Sequence, residues 1–402
     1  MVLDRFVRLV DLLTLERATA YALVTMAIGC FVIFSEFYKA PQEISGSTDF
    51  PAFYNAGRIL NEYPRGSLYD QKLQHQLYLE VAPQAADDRF FAYTPFFALF
   101  FSPLALLPFS AAFVFWIVIS LAFFTAGFWL AWSTTDLPIE YRARSFLIAL
   151  SFLPFFAWCV LEGQSSAFGF FFLALAIYLD RKSPFASGYA LAMLLYKPPL
   201  LILLVPMLIV TKRWRSLSGF AVGAFVLALI SFALIGLSGL PAYLAMLKHF
   251  SLITAQTPNW REIDGLSFFL PFFRRPIACG LLLAMAAIAL PFIFKAWSRN
   301  PETAWSHAIT WTMVLNFYVL LYDSTLVILA VLISVSALRK TLPIAYRWLL
   351  LVLFLAPWLQ TDFAKSYGFR PMTIALIAFG CYQLWALNSS YKPASVLSSR
   401  RR

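Results

Sequence analysis

The sequence predicts an all-α fold, a polytopic membrane helical bundle, and three observations carry that expectation. Hydrophobic residues make up 61% of the 402 and charged residues 13%, where a soluble domain is roughly half apolar and a quarter charged. Many windows hold close to the ~20 apolar residues that one bilayer crossing takes. The alternating polar and apolar segments of a membrane barrel do not occur, so helices are the expected way of satisfying the backbone in lipid. A net charge of +11 would suggest nucleic acid in a soluble chain. Here the surplus Lys and Arg sit in short loops and in the tail, as positive-inside anchoring requires, and no nucleic acid partner is expected. Cys30, Cys159, Cys279 and Cys381 lie inside apolar runs without C-x-x-C spacing, which reads as packing.

In chain order, Arg5, Arg8 and Arg17 place the N-terminus in the cytosol, with an interfacial helix from Leu3 to Leu15. The first crossing, Tyr21 to Tyr38, is long and lacks a small-residue cleavage site, so it reads as an anchor. The first outer loop, 39–93, is the longest polar interval. Within it Phe53, Ala56, Gly57 and Leu60, then Leu73, Leu77 and Val81, recur at helical spacing. These predict two short amphipathic helices lying along the membrane surface, apolar face down. Thr94 to Leu107, punctuated by Pro95 and Pro103, is too short for a full span and suits a partial or re-entrant segment.

Ala111 to Trp132 then crosses inward, Phe146 to Val160 outward, and Phe168 to Leu179 inward again. The next apolar run, Gly188 to Val210, is broken by Lys197-Pro198-Pro199 and flanked at both ends by basic loops, Asp180-Arg181-Lys182 and Lys212-Arg213. If both ends are cytosolic the run dips as a hairpin with Lys197 near its tip. Phe220 to Ile235 leads to a second outer loop, 238–276, and Ile277 to Phe294 returns. Two further pairs follow, Trp305 to Leu320 with Thr325 to Val335, and Leu349 to Leu359 with Met372 to Leu387, before the tail ends in Arg400, Arg401 and Arg402. The expectation is a single domain over 1–402 with about ten full crossings plus partial or re-entrant segments.

On this topology Asp49, Glu162, Gln164, Lys197, His249, Asp323 and Asp362 all point to the non-cytosolic side. Ionisable groups at the bilayer are costly and usually face a cavity or a partner, so the grouping predicts a polar chamber there. The three histidines, His75, His249 and His307, show no metal-ligand spacing, and no metal or cofactor is expected. A transporter, the rival class, would show related halves with matching interruptions and access to both faces; here the interruptions are lopsided.

These residues also carry a resemblance. Asp49-Phe50 ahead of Phe53-Tyr54-x-Ala56-Gly57, then Leu68-Tyr69-Asp70, Tyr93-Thr94-Pro95-Phe96 and Pro103-Leu104 resemble glycosyltransferase family 87. Glu162-Gly163-Gln164, Lys197-Pro198-Pro199 with Arg213-Trp214, and Tyr322-Asp323 continue it in order, from about residue 45 to 340. In the later outer loop the chain departs from the family, with Ile263-Asp264-Gly265-Leu266-Ser267 where relatives often show an Asn-x-Ser pattern. The resemblance implies a GT-C-like bundle with an essential acid in the first outer loop. It further implies a polyprenyl-phosphate-linked sugar as donor, mannose above all, a lipid or glycan acceptor, inversion at the anomeric centre, and a multi-pass protein of the bacterial inner membrane working on the periplasmic face.

On that reading Asp49 matches the family's catalytic acid and acts as general base; the alternative is an N-cap ahead of Pro51. Lys197 grips the lipid phosphate, or merely snorkels at the boundary. Asp323 holds sugar hydroxyls or pairs with Lys197, and His249 contacts phosphate or sugar or is a plain loop histidine. Tyr54 stacks on sugar or belongs to the aromatic interface. Glu162 and Gln164 line the chamber, and Arg261, Arg274 and Arg275 face lipid headgroups.

Overall fold

The computed structural model describes residues 14–39, 48–83, 89–256, 260–338 and 342–389. The interfacial helix expected over 3–15 falls almost wholly outside these, as do the tail arginines. The described chain is helical, its one isolated β-bridge joining Glu262 to Leu320. Helix α1 (Leu15–Lys39) contains the expected first crossing. The first outer loop holds α2 (Phe50–Glu62) and α3 (Gln71–Val81), where the periodicity places them. Their apolar faces rest on protein instead of lipid. Phe53 stacks on Phe101 with ring centroids 4.9 Å apart, Phe101 meets Trp116, and Phe53, Ala56 and Leu77 are all buried. The floor under them is the segment expected to be re-entrant, which forms two short 3-10 turns, Pro95–Phe100 and Leu104–Leu106. Its prolines favour such short turns over a continuous helix.

Helix α4 (Phe109–Trp132) is a straight apolar span. The next crossing is not straight. Helix α5 (Arg142–Leu150) ends before Pro154, and Pro154–Leu161 continues as a wider π-type turn at 61° to it. Helices α6 (Ser166–Leu179), α7 (Pro184–Ala192) and α8 (Leu204–Val210) follow, with Lys197 in the break between 3-10 turns on either side. Arg213 Nη1 lies 2.7 Å from Asp180, and Arg213 Nη2 donates to the Pro301 carbonyl at 2.7 Å. The two ends of the α7–α8 stretch therefore meet, and the stretch leaves and returns to one side, as the flanking charges predict. Other contacts gather at that same end: Arg144 with Glu16, Trp305 with Asp180, and the Asp136 amide with Ser336.

Helix α9 (Trp214–Gln256) changes the expected picture of the second outer loop, because residues 238–256 are helical. Gly236, at φ +64°, bends the chain, and Pro241 lies inside the helix a little over one turn beyond the bend. The outer half of α9 lies across the first loop: a Cβ on Gly239 would stand 2.9 Å from the Gly66 Cα, and Tyr69 packs on Tyr243. Helices α10 (Gly265–Phe269), α11 (Arg275–Arg299), α12 (Ala304–Val314), α13 (Val327–Leu338), α14 (Ile344–Tyr367) and α15 (Pro371–Ser389) complete the bundle. Among the described residues, five helices are long and apolar enough to cross a membrane, six if the bent pair counts as one span. Of the other expected crossings, two fall on the shorter apolar helices α6 and α15, while α1 and α12 are not among the candidate spans, so the structure does not establish a count of ten.

The turn after α9 is clamped from three sides. Asp264 caps α10 through the Ser267 amide at 2.9 Å and accepts the Val319 amide at 3.1 Å. Arg370 donates to the carbonyls of Ser267 and Glu262, and Gln360 to those of Trp260 and Glu262. The departure from the family pattern at Asp264 thus has a structural occupation. Burial pushes the Asp264 carboxyl up to about 6. For an acid whose folded pKa exceeds its unfolded value of about 3.9, the folded state holds the extra proton between the two. Stability from this group is then highest below about pH 4 and declines as the pH rises towards 6. Thermal unfolding of wild type against Asp264→Asn should show a difference that changes across that window and stays flat above it. Asp264→Ala, which leaves both amides unpaired, should cost about 2 kcal/mol or more at any pH.

Candidate active site

Asp49 stands at the N-cap position of α2, yet its side chain makes no capping bond. Asp70 at the start of α3 shows the contrast, accepting from Lys72 and Leu73 as a cap should. The Asp49 carboxylate instead takes Arg89 Nη1 on one oxygen and Gln164 Nε2 on the other. Its backbone amide donates to the Glu162 carbonyl at 3.1 Å. Two segments more than a hundred residues apart are so joined at one acid.

The loop that receives Asp49 is Glu162-Gly163-Gln164, at the end of the π-type turn. Gly163 has φ +71°, and a Cβ there would approach Phe50 Cβ to 2.8 Å, so the turn needs glycine. The Gly163 carbonyl accepts Trp116 Nε1 at 2.8 Å, which anchors the turn to α4. Glu162 faces the other way and receives a bidentate grip from Arg261, at 2.7 and 3.1 Å. Arg261 also lies 4.7 Å from the Trp260 ring centre. Its expected role at lipid headgroups is overturned by this fork-to-carboxylate pairing. Burial, and after it the neighbouring Arg261, press the Arg89 pKa below its ordinary value. The result is a patch of alternating charge: Asp49, Arg89, Arg261 and Glu162.

A second layer lies beneath. Lys197 pairs with Asp323, with only 6% and 0% of their side chains exposed, and its ammonium sits over the rings of Tyr322 and Tyr318. Asp323 also accepts the Leu320 amide at 2.9 Å, and Ser166 contacts it at 3.5 Å. Lys197 is at the far end of its hairpin as expected, but it neither snorkels nor presents an open cation; it is half of a buried ion pair. The two layers share a scaffold, because Gln164 reaches Asp49 while Ser166, two residues on, reaches Asp323. The Leu321 amide also donates to the Arg261 carbonyl at 2.7 Å.

Of the remaining expected site residues, His249 is half-buried beside this cluster, its ring edge-on to Phe90 at 5.9 Å. Tyr54 is turned into packing: its hydroxyl donates to the Leu107 carbonyl at 2.8 Å and its ring meets Phe109 edge-on. Asp362 is exposed on α14. Sequence reasoning missed Arg89 altogether. The signal was there: both Arg89 and Arg261 fall in loops that the sequence predicts to be outer, against the positive-inside bias, and a cation kept there against that bias needs a local reason.

The profile of glycosyltransferase family 87 matches residues 91–322, more than half of the chain. The chain belongs to glycosyltransferase family 87. It is a membrane glycosyltransferase, and the matched stretch holds Glu162, Gln164, Lys197, Arg261 and the Tyr322 end of the second layer. Asp49 and Arg89 precede it, and their bonds to Gln164 and to the Glu162 loop connect them to it. No curated protein and no solved structure matches the chain.

The buried pair generates a test. Lys197→Met leaves Asp323 charged and unpaired in an apolar interior and should destabilise the enzyme by about 3–5 kcal/mol. Adding Asp323→Leu removes the stranded charge and should recover much of that loss, read by thermal unfolding in detergent.

Proposed function

We propose that this family 87 enzyme transfers a hexose, mannose by preference, from a polyprenyl-phosphate carrier to a lipid-linked or envelope glycan. The reaction would run on the periplasmic face of a bacterial inner membrane, with Asp49 as general base. One observation supports the base most directly: a carboxylate at a helix start that forgoes capping and is held out by Arg89 and Gln164. A side-chain cap would need the amide of N2 or N3, but Pro51 has none and the Ala52 amide goes to the Asp49 carbonyl, which leaves the carboxylate to its side-chain partners.

In this reading the acceptor hydroxyl attacks the anomeric carbon while Asp49 takes its proton. The bond from that carbon to the phosphate oxygen breaks, and the prenyl phosphate leaves with the electron pair. A single displacement inverts the centre, and it needs one base on the acceptor side and cationic donors on the phosphate side. His249, beside the cluster, is suited to the sugar or phosphate. Glu162 holds Arg261 in place, and Gln164 orients Asp49. The Lys197–Asp323 pair fixes the hairpin tip under the site.

The test is transfer from radiolabelled polyprenyl-phosphate-mannose to envelope lipids by the purified protein in membranes. Asp49→Asn, matched for folding by thermal unfolding, should lower the rate about 10²- to 10⁴-fold. Equal rates in wild type and variant would remove Asp49 from the chemistry. Absence of transfer by wild type would show that the donor or acceptor class is wrong.

A further inference from the structure

Arg89 is a charged group of the outer patch to which the transfer scheme gives no task. It holds Asp49, which would oppose a base about to take a proton: a guanidinium bound to a carboxylate stabilises its charged form and competes with protonation. Yet the cluster keeps it there, on the outer side where cations are disfavoured, and close enough to Arg261 for the two like charges to feel each other. Two guanidiniums converging on a small patch need anions to offset them, and Glu162 already occupies one. Arg261 binds Glu162 through both of its terminal nitrogens. Arg89, among the described residues, binds Asp49 through Nη1 alone, and its side chain is 28% exposed against 16% for Arg261. Arg89 therefore has the open half of a fork suited to a phosphate. Lys197 has no such opening, being enclosed with Asp323.

We propose that Arg89 is the ligand of the donor's phosphate and that Asp49 and the phosphate compete for it. The inference rests on the reading of the protein as a prenyl-phosphate-sugar transferase. Charge balance explains why one arginine serves both. Before transfer the site holds the Asp49 carboxylate and a phosphodiester with a single negative charge. After it, the proton of the acceptor hydroxyl is on Asp49, and the phosphate, released as a monoester, carries the second negative charge. One unit of negative charge has moved from Asp49 to the phosphate, and no charge has entered or left the site. An arginine that passes from the first to the second follows that charge: it occupies the carboxylate in the empty enzyme and frees it to accept a proton once the phosphate is bound.

The experiment measures binding, not turnover. The full chain in phosphatidylcholine nanodiscs is titrated with farnesyl phosphate, with farnesol as the control for the chain alone. Wild type should bind the phosphate more tightly than the alcohol. Arg89→Gln should weaken farnesyl phosphate about tenfold, and Arg89→Lys several-fold, since a lysine keeps the charge and loses the fork. Asp49→Asn should bind it several-fold more tightly, because the competing carboxylate is gone, and that gain should vanish in the Arg89→Gln/Asp49→Asn double variant. Farnesol binding should not change. Arg89→Lys keeps the series readable where the Gln variant does not fold. Unchanged affinity in both Arg89 variants, or a gain in Asp49→Asn that survives in the double variant, overturns the proposal. If wild type does not distinguish phosphate from alcohol, the prenyl-phosphate ligand itself is wrong. Loss of the base assignment shows separately, as transfer retained by Asp49→Asn, and leaves this binding pattern to decide Arg89.

Discussion

A full charge at the rim of an apolar bundle is tolerated only where a partner is built for it, and the outer end of this enzyme is arranged around that requirement. Asp49 needs Arg89 and Gln164, Glu162 needs Arg261, and Lys197 needs Asp323. Each pairing joins segments that are far apart in sequence. The first outer loop is tied to the turn before α6, that turn to the loop after α9, and the hairpin tip to the start of the Leu321–Leu338 span. Removing one member strands the other in low dielectric, so the pairs hold the loops in place more by the cost of breaking them than by the gain of making them.

Much of this was legible in the sequence. The helical spacing of Phe53, Ala56 and Gly57 placed α2, and the basic loops on either side of Gly188 to Val210 placed the hairpin and Lys197 at its tip. Those inferences worked because periodicity and charge bias act locally. The apolar faces of α2 and α3 were assigned to lipid because a single sequence shows a helix's apolar stripe but not what covers it. The long helix α9 is expected to stop at Ile235 for a related reason: the sequence shows a span followed by a more polar loop, but not the packing on Gly66 and Tyr69 that accompanies its continuation as helix. Arg89 escaped notice because its partner is 40 residues away, whereas the grouping of Asp49, Glu162, Gln164, Lys197 and Asp323 on one side followed from the alternation of crossings.

The two layers of the site differ in physical character. The upper patch is partly open, and its charges alternate within hydrogen-bonding reach. The lower pair is sealed by Tyr318 and Tyr322 and backed by the Leu320 amide. Gln164 and Ser166, two residues apart on one loop, keep the layers in register.

The bend at Gly236 has a mechanical consequence. Beyond it α9 rests so closely on the first loop that the backbones of Gly66 and Gly239 leave no room for a methyl group between them. The two outer loops are therefore fastened to each other just beyond residue 236, and a side chain at either glycine would push them apart. Tyr69 and Tyr243, packed on one another, extend the same junction.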